Sequence, residues 1–298
     1  MATIEIRPLK ALDEMRPVVD LQKVYWGDDL ESVIPAHMLF SLANHGGHVL
    51  GAFDGDTPVG MLVGFLSTNM KDPNRPAMAN LQIFSKRMVV LPDYRGQGIG
   101  YRLKLAQREI AKTQGVRLVV WTFDPMLALN AHLNIRKLGA VCNAYYENYY
   151  GTSSEGGLTS FGMSDRLMAE WWVTNRRVEE RISGTRKDLT LAHYLDANTP
   201  IINPSSLSDD GILLTADSIG NPEGSLGLLE IPTRYTALEA SNPRLAQSWR
   251  LHVRQAFKQI ISRGFIVTDF ITEAYEKRER SFYLLTYNGA QYESFNMN

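Results

Sequence analysis

One stretch decides the fold: Phe84-Ser-Lys-Arg-Met-Val-Val-Leu-Pro-Asp-Tyr-Arg-Gly-Gln-Gly-Ile-Gly-Tyr-Arg-Leu-Lys-Leu-Ala-Gln-Arg-Glu-Ile110. Its apolar, partly β-branched residues before Pro92 are typical of a half-buried strand. Glycines then stand at every second position from Gly96 to Gly100. The apolar residues that follow at helical spacing are Leu103, Ala106 and Ile110, and the polar residues expected on the other side of that helix are Arg102, Lys104, Gln107 and Arg108. The stretch therefore predicts a strand, a glycine turn and a helix.

The predicted turn has the properties of a phosphate site. Alternating glycines allow close approach of the backbone to a ligand, because no Cβ intervenes. The first N–H groups of a helix have no partner within the helix, and the helix dipole favours an anion at that end. Arg95 adds a forked cation beside the turn.

Three glycine-rich motifs were compared with this turn. A dinucleotide fingerprint starting at Gly96 would need a glycine where Tyr101 stands, and a P-loop would need Lys-Ser/Thr after Gly100. The pattern that fits is Arg95-x-x-Gly98-x-Gly100, between a strand and a helix. It resembles the acyl-CoA-binding motif of the GNAT acyltransferase superfamily. An ordinary glycine-rich β–α turn is the simpler alternative, but strand, motif and helix occur here together.

The resemblance implies a specific set of residues for coenzyme A. The backbone amides from Arg95 to Tyr101 are expected to hold its pyrophosphate, and the strand Met88–Val90 is expected to pair with the pantetheine amides. The full set of cofactor-binding candidates is Met88, Val89, Val90, Arg95, Gly96, Gln97, Gly98, Ile99, Gly100, Tyr101, Asn130 and Asn134. Asparagines in the helix after the next strand contact pantetheine in this family, although the usual position corresponds to Ala128. Asn130 and Asn134 are expected on one helical face because they are four residues apart.

Composition sets the protein class. The chain has 298 residues, 44% hydrophobic residues and a formal net charge of -1, so neither nucleic acid nor a membrane surface is an expected partner. It has neither an apolar run of the length that spans a bilayer nor a signal-peptide pattern at its start. The single cysteine, Cys142, excludes an intramolecular disulfide framework and lacks a histidine partner for nucleophilic catalysis. A cytoplasmic location is expected.

The element order of the first half is predicted as β-α-α-β-β-β-α-β-α-β. The principal segments are strands at 4–8, 49–53, 59–66, 88–91, 117–123 and 141–150 and helices at 12–25, 35–44, 103–110 and 126–138. This order matches the GNAT fold, in which two parallel strands splay apart around the acyl-CoA thioester. His45-Gly-Gly-His48 is interpreted as a helix end and not as a metal site, and no metal is expected. The polar loop 67–80 is either a surface loop or a lid over the acceptor.

The second half begins after a glycine-rich linker, Gly151–Gly157. Strands are predicted at 165–173, 226–231, 265–271 and 282–287, with a long helix from Asn242 to Ile261. The mixed charges of Arg176–Asp188 favour a solvated face or loop. The prediction is an α+β (mixed-sheet) GNAT-like domain over 1–160 and a C-terminal α+β extension over 161–298, the latter either a degenerate half-GNAT or an unrelated addition.

Candidate catalytic groups follow from the chemistry of acyl transfer to an amine. Asp124, at the end of a predicted parallel strand, and Glu147 are candidate bases, although Asp124-Pro125 is also a standard helix start. The family's proton-donating tyrosine would stand at position 135, which here is isoleucine. Tyr146 or Tyr145 on the next strand is therefore the candidate acid. Arg250 and Arg254 are candidates to meet an acceptor carboxylate.

The sequence thus predicts an acyl-CoA-dependent N-acyltransferase. Acetyl-CoA or succinyl-CoA is the expected co-substrate, because a long two-part subgroup that the chain resembles includes enzymes of amino-acid N-acylation. The residues that carry this second resemblance include Lys137-Leu-Gly-Ala140, Asn148-Tyr-Tyr-Gly151 and Asp165-Arg-Leu167. A small amine, with amino acids among the candidates, is the expected acceptor. The alternatives are a non-catalytic coenzyme A sensor or scaffold and, for assembly, a homodimer.

Overall fold

The computed structural model describes residues 3–27, 32–69, 76–152, 160–209 and 211–289. Within these ranges the chain forms two compact units. Of the described residues, the first unit contains those within 3–121, 160–162 and 172–174, and the second contains those within 122–152, 163–171 and 175–289. No helix in the described ranges is both long and apolar enough to cross a membrane.

The first unit is built on an array of strands in the order β1-β2-β3-β4-β5. Its strands are β1 (Ile4–Pro8), β2 (Gly47–Asp54), β3 (Thr57–Thr68), β4 (Leu81–Val90) and β5 (Leu118–Phe123), the last of which continues into the residues of the second unit. Its helices are α1 (Leu12–Trp26), α2 (Ala36–Asn44) and α3 (Ile99–Thr113). Strands β1 to β4 are antiparallel neighbours, and β4 and β5 are parallel.

Two apolar clusters cover the two faces of these strands. One joins α1 and α2 to the strands through Met15, Leu39 and Met61. The other joins α3 to the strands through Ile99, Leu103 and Leu62. The sequence predictions for β1, α1, α2, β2, β3 and β5 agree with the structure to within a few residues, and β4 is longer than predicted because it begins at Leu81.

The second unit contains strands in the order β7-β6-β11-β12-β10. Its strands are β6 (Val141–Tyr146), β7 (Arg166–Trp172, whose last residue belongs to the first unit), β8 (Ser206–Leu207), β9 (Leu213–Leu214), β10 (Leu226–Ile231), β11 (Phe265–Tyr275) and β12 (Arg278–Tyr287). Its helices are α4 (Ala128–Ala131), α5 (Arg176–Ile182), α6 (Leu191–Asp196), α7 (Tyr235–Ser241) and α8 (Pro243–Ile261). Helix α8 buries an apolar stripe that includes Trp249, Val253 and Phe257.

The predicted elements β10, α8, β11 and β12 are present in that order, but a helix that was not predicted, α7, lies between β10 and α8. Their strand pairing differs from that of β4-α3-β5, because β12 lies between β10 and β11 and is antiparallel to both. Strands β4 and β5 pair with each other directly. The element order of the first half is therefore repeated in part, but its strand pairing is not.

Three predictions are corrected by the structure. Arg176–Ile182 is a helix, α5, and not a solvated loop, because Asn175 caps its first turn and Val178 and Arg181 are buried. The predicted strand 141–150 ends at Tyr146 and continues as turns. The predicted helix 126–138 is instead a short α-helix followed by a π-helical turn, His132–Lys137. Residues 70–75 of the proposed lid and 153–157 of the linker lie outside the described residues.

Candidate active site

The glycine turn connects β4 to α3 through a short 3-10 turn, Pro92–Tyr94. Gly96 and Gly98 have φ angles of 77° and 76°, in the left-handed region that side chains with a Cβ avoid. Gly98 is the N-cap of α3. A Cβ placed on either glycine would meet no protein atom within 4 Å, so both positions face open space. Backbone conformation, and not crowding by the protein, thus requires glycine here.

The turn exposes a run of unpaired backbone N–H groups. The first hydrogen bond of α3 runs from the amide of Arg102 to the carbonyl of Gly98. The six amides from Gly96 to Tyr101 have no backbone acceptor within the described residues. Gly98 also offers no capping side chain. Such a run at the start of a 15-residue helix is the arrangement that binds phosphate groups.

Contacts on both sides hold this turn in place. The hydroxyl of Tyr94 donates to Oδ2 of Asp54 over 3.0 Å, and Arg102 donates to the carbonyl of Ile4 over 2.7 Å. Arg95 is exposed, and its Nε donates to the carbonyl of Val90 over 3.2 Å. The forked cation predicted beside the phosphate site therefore lies at the last residue of β4.

The pairing between β4 and β5 stops after two residue pairs, which leaves a gap in the hydrogen bonding between these strands. Their parallel register has two pairs, Ile83↔Val119 and Phe84↔Val120. The later residues of β4 continue to pair with β3, including Met88↔Leu62, Val89↔Met61 and Val90↔Gly60. On the opposite edge Met88–Val90 make no strand pairing within the described residues, which leaves that edge available to an extended ligand.

Asp124, the first candidate base, lies in the second unit and is held by protein groups. Arg250 donates to both carboxylate oxygens, over 2.8 Å to Oδ2 and 3.3 Å to Oδ1. Oδ1 also accepts the amide of Met126 over 2.9 Å, as expected of the Asp-Pro helix start. Arg250 is thus committed to a protein carboxylate, which argues against its predicted role with an acceptor carboxylate.

Glu147, the second candidate base, is exposed and paired with two cations. It accepts from Arg254 over 2.9 Å and from Lys258 over 2.6 Å. Arg254 also donates to both oxygens of the buried Asp165, over 2.8 Å each. Arg254 is therefore a structural cation that joins α8 to the residues around β6 and β7.

The two neighbouring tyrosines of β6 differ in the hydrogen bonds of their hydroxyl groups. Tyr145 donates to Oδ2 of Asp165 over 2.6 Å. Tyr146 packs against Tyr149 with ring centroids 5.4 Å apart, and its hydroxyl has no hydrogen-bond partner among the described residues. Burial, together with Tyr149 and Glu170, raises the pKa of Tyr146 above its ordinary value. Its hydroxyl therefore keeps its proton at neutral pH.

The two candidate asparagines do not share one environment, which corrects their predicted common face. Asn130 is exposed on α4, whereas Asn134 is buried in the π-helical turn. The wider turn is recorded by the i→i+5 hydrogen bond from the amide of Leu138 to the carbonyl of Leu133. Because a π turn contains more residues than an α turn, positions four apart no longer align. Ile135, at the family's tyrosine position, is fully buried.

A buried polar chain on α3 was missed by the sequence analysis. Lys104, Gln107 and Arg108 were predicted on the polar side of the helix, but all three are buried. Nζ of Lys104 lies 2.8 Å from Oγ of Ser85, and Gln107 connects Lys104 to His48. The sequence signal for this burial is the spacing of positions 104, 107, 108 and 111. These positions lie on one side of the helix, and the last of them is an alanine.

The family model described as "Acetyltransferase (GNAT) family" matches residues 15–133. No curated protein matches the chain. The ribosomal-protein-S18-alanine N-acetyltransferase from Escherichia coli is 13% identical, with 58% of this chain and 96% of that chain covered and a TM-score of 0.44.

Two further solved structures show the range of similar proteins. Arabidopsis thaliana NAA60 in complex with acetyl-CoA is 14% identical, with 58% of this chain and 100% of that chain covered and a TM-score of 0.46. The aminoglycoside acetyltransferase meta-AAC0020 from an uncultured soil metagenomic sample, in complex with trehalose, is 19% identical, with 41% and 78% covered and a TM-score of 0.34. At these scores the three structures add no argument about the reaction. The family model spans β4, the glycine turn, α3 and β5, so this part of the chain matches the acetyltransferase (GNAT) family.

Proposed function

We propose that the protein transfers an acetyl or succinyl group from acyl-CoA to the amine of a small acceptor, with amino acids among the candidates, by direct attack of the amine on the thioester. The observation that carries the proposal is the run of six unpaired amides, Gly96–Tyr101, directly after the free edge of β4. This arrangement offers a site for a pyrophosphate next to a strand edge that can pair with amides. Coenzyme A contains both groups in that order.

The coenzyme is proposed to be held mainly by backbone. The amides from Gly96 to Tyr101 bind the pyrophosphate, whereas the amide of Arg95 already donates to the carbonyl of Pro92. Met88–Val90 pair with the pantetheine arm. Arg95 leaves the carbonyl of Val90 and turns to the phosphates, because a guanidinium prefers a doubly charged group to one neutral carbonyl. Exposed Asn130 remains a candidate contact, whereas the burial of Asn134 makes its side chain a weaker one.

Tyr146 is proposed as the proton donor to the departing thiolate. Its hydroxyl is protonated at neutral pH and is not engaged elsewhere in the described part of the chain. Asp124 and Glu147 remain the proposed bases, and the proposal requires their ion pairs to loosen when the acceptor binds. Of the two, Glu147 is the more accessible to an acceptor ammonium, because it is exposed.

The test combines binding with product identification. The full chain is titrated by calorimetry with coenzyme A, acetyl-CoA and succinyl-CoA. It is then incubated with each thioester and a panel of amino acids, simple amines, aminoglycosides and peptides, and the N-acyl product is identified by mass spectrometry. Thioester binding together with an N-acylated small amine supports the proposal.

Three outcomes would contradict it. If neither acetyl-CoA nor succinyl-CoA binds, the protein does not have the proposed coenzyme A site. Binding without an N-acylated product from any amine would favour the coenzyme A sensor or scaffold, an alternative motivated by isoleucine at position 135. Acylation of the peptides alone would retain the activity and exclude the small acceptor.

A further inference from the structure

The closed end of the gap between β4 and β5 contains a buried amine. Ser85 and Trp121 are the first residues of their strands after the last parallel pair, Phe84↔Val120. Nζ of Lys104 lies between them, 2.8 Å from Oγ of Ser85 and 3.5 Å from the centre of the Trp121 ring. Lys104 and Ser85 are only 2% and 6% exposed. An amine therefore stands beside a hydroxyl at the point where the two strands separate.

Among the described residues, no carboxylate pairs with this amine. Its hydrogen-bond partners among the described residues are Ser85 and Oε1 of Gln107, at 3.2 Å. Burial lowers the pKa of Lys104 well below its ordinary value. This shift favours the neutral form of the amine, whose lone pair can accept the hydroxyl proton of Ser85. Lysines that lose their charge by burial commonly act as bases or nucleophiles.

Gln107 and His48 fix the position of this amine. Nε2 of Gln107 lies 2.8 Å from Nε2 of His48. The amide group of Gln107 donates there, so its oxygen is turned toward Lys104. Burial is the main cause that lowers the pKa of His48 to about 4, so the ring is neutral and can accept.

Strand β3 leaves room for these hydrogen-bonded side chains. A Cβ on Gly64 of β3 would lie 2.5 Å from Nε2 of His48 and 2.6 Å from Nε2 of Gln107. Glycine within a strand often marks such a close approach. Gly64 of β3 therefore leaves the space that the hydrogen-bonded side chains of Lys104, Gln107 and His48 need within the first unit.

The distance from the glycine turn suits a thioester. Ser85 precedes Val90 by five positions, which is about 17 Å along an extended strand. An extended pantetheine arm has a comparable length. If the pyrophosphate lies at the glycine turn, the thioester reaches the level of Ser85. This step rests on the proposed coenzyme A site.

We propose that Ser85 and Lys104 form a serine–lysine dyad that accepts the acyl group when no amine is bound, which gives the protein an acyl-CoA hydrolase activity. Oγ of Ser85 attacks the thioester carbonyl carbon, and its proton moves to Nζ of Lys104. The C–S bond then breaks, and Lys104 returns the proton to the coenzyme A thiolate. The products of this half-reaction are O-acylated Ser85 and free coenzyme A.

Water completes the cycle. Lys104 accepts a proton from the water that attacks the ester, the bond between Oγ and the acyl carbon breaks, and the proton passes to Oγ. The sum is acyl-CoA plus water giving a carboxylic acid plus coenzyme A. Serine–lysine pairs perform acyl transfer on other folds by the same division of roles.

The experiment uses the full-length protein with acetyl-CoA and no amine. Thiol release is followed, the reaction is quenched with acid, and peptides are mapped by mass spectrometry. The variants are Ser85→Ala and Lys104→Met. Their matched controls are Ser67→Ala on β3 and Lys112→Met, which is exposed on the same helix as Lys104. Thermal unfolding and coenzyme A binding are measured for every variant.

The expected result is an acetyl ester on Ser85 and thiol release in the wild type and both controls. Each dyad variant should lose at least about ten-fold in thiol release while retaining coenzyme A binding, since a positioned base contributes at least this much. Absence of an ester together with equal thiol release by all variants would overturn the dyad. An amide on Lys104 in place of the ester would also overturn it. Failure of the wild type to bind coenzyme A would instead contradict the proposed function, so the two failures are distinguishable.

Discussion

Arg250 and Asp124 form a two-bond ion pair, with Nη2 2.8 Å from Oδ2 and Nη1 3.3 Å from Oδ1. Arg250 is only 2% exposed, and its Nε donates to the hydroxyl of Tyr235 over 3.2 Å. The pair joins α8 to residues 126 positions earlier in the chain. Asp124 and Arg250, which the sequence predicts as separate functional residues, are therefore bound to each other.

Replacing Arg250 by alanine should destabilise the protein by about 3–5 kcal/mol, because the partly buried Asp124 would lose its partner. Urea unfolding measures this change. Arg244→Ala, an exposed position on the same helix, serves as the control and should change stability by no more than about 0.5 kcal/mol. Equal effects of the two substitutions would show that the ion pair does not stabilise the second unit.

Gly98→Ala should lower the affinity for coenzyme A by at least about ten-fold, because its Cβ would enter the open space above the unpaired amides. Gly115 offers a matched control at the other end of α3. Its φ is 68°, close to that of Gly98, and a Cβ there also meets no atom within 4 Å. Both variants should lose about 1–2 kcal/mol of stability from the left-handed conformation. Calorimetry would contradict the phosphate site if both bound coenzyme A equally well.

Stability should fall as the pH is lowered from about 6.5 to about 4 through the protonation of His48. Its folded pKa is about 4, below its ordinary value of 6.5, mainly because of burial. The unfolded chain therefore binds the proton first, and acid favours unfolding. Above pH 6.5 the contribution is constant, and over the full window it amounts to roughly 3 kcal/mol.

The measurement is urea unfolding at a series of pH values for the wild type, His48→Gln and His37→Gln. His37 is exposed on α2 and serves as the control. His48→Gln should flatten the pH dependence in this window, and His37→Gln should leave it unchanged. Identical curves for all three proteins would show that His48 does not titrate abnormally.

Tyr146→Phe should reduce kcat for N-acylation by about ten-fold or more while leaving the KM for acyl-CoA unchanged, since it removes a proton donor and not a binding contact. Tyr149→Phe is the control, because Tyr149 packs against Tyr146 and is exposed. If the two variants have the same kcat as the wild type, the leaving thiolate is protonated by another group.

The glycine turn was predictable because its cause is local. Left-handed glycines, an uncapped helix start and an apolar strand lie within one short stretch, and each leaves its own mark on the sequence. The partners of Arg250 and Arg254 were not predictable in this way. Asp124 and Asp165 lie 126 and 89 positions away from them, and only the tertiary fold brings them together.

The burial of Lys104 was missed for a different reason. Lysine and glutamine on an amphipathic helix normally face water, so the apolar stripe of α3 was assigned to one side alone. The structure buries the second side as well, because Trp121 covers the amine and Ser85 and Gln107 bond to it. The division of the chain into domains at residue 160 stays a prediction.

The π-helical turn at His132–Lys137 has a consequence for any comparison between this chain and its relatives. This turn holds one more residue than an α-helical turn. Side chains from the turn up to Gly139 are therefore displaced by one position relative to those of a relative that has an α-helix there. An alignment to a relative can be counted forward from β5 or back from Gly139. The two counts therefore assign different residues of this chain to the same position of the relative. Functional roles should be transferred across this segment by superposition of atoms, with a one-residue insertion allowed between Leu127 and Gly139.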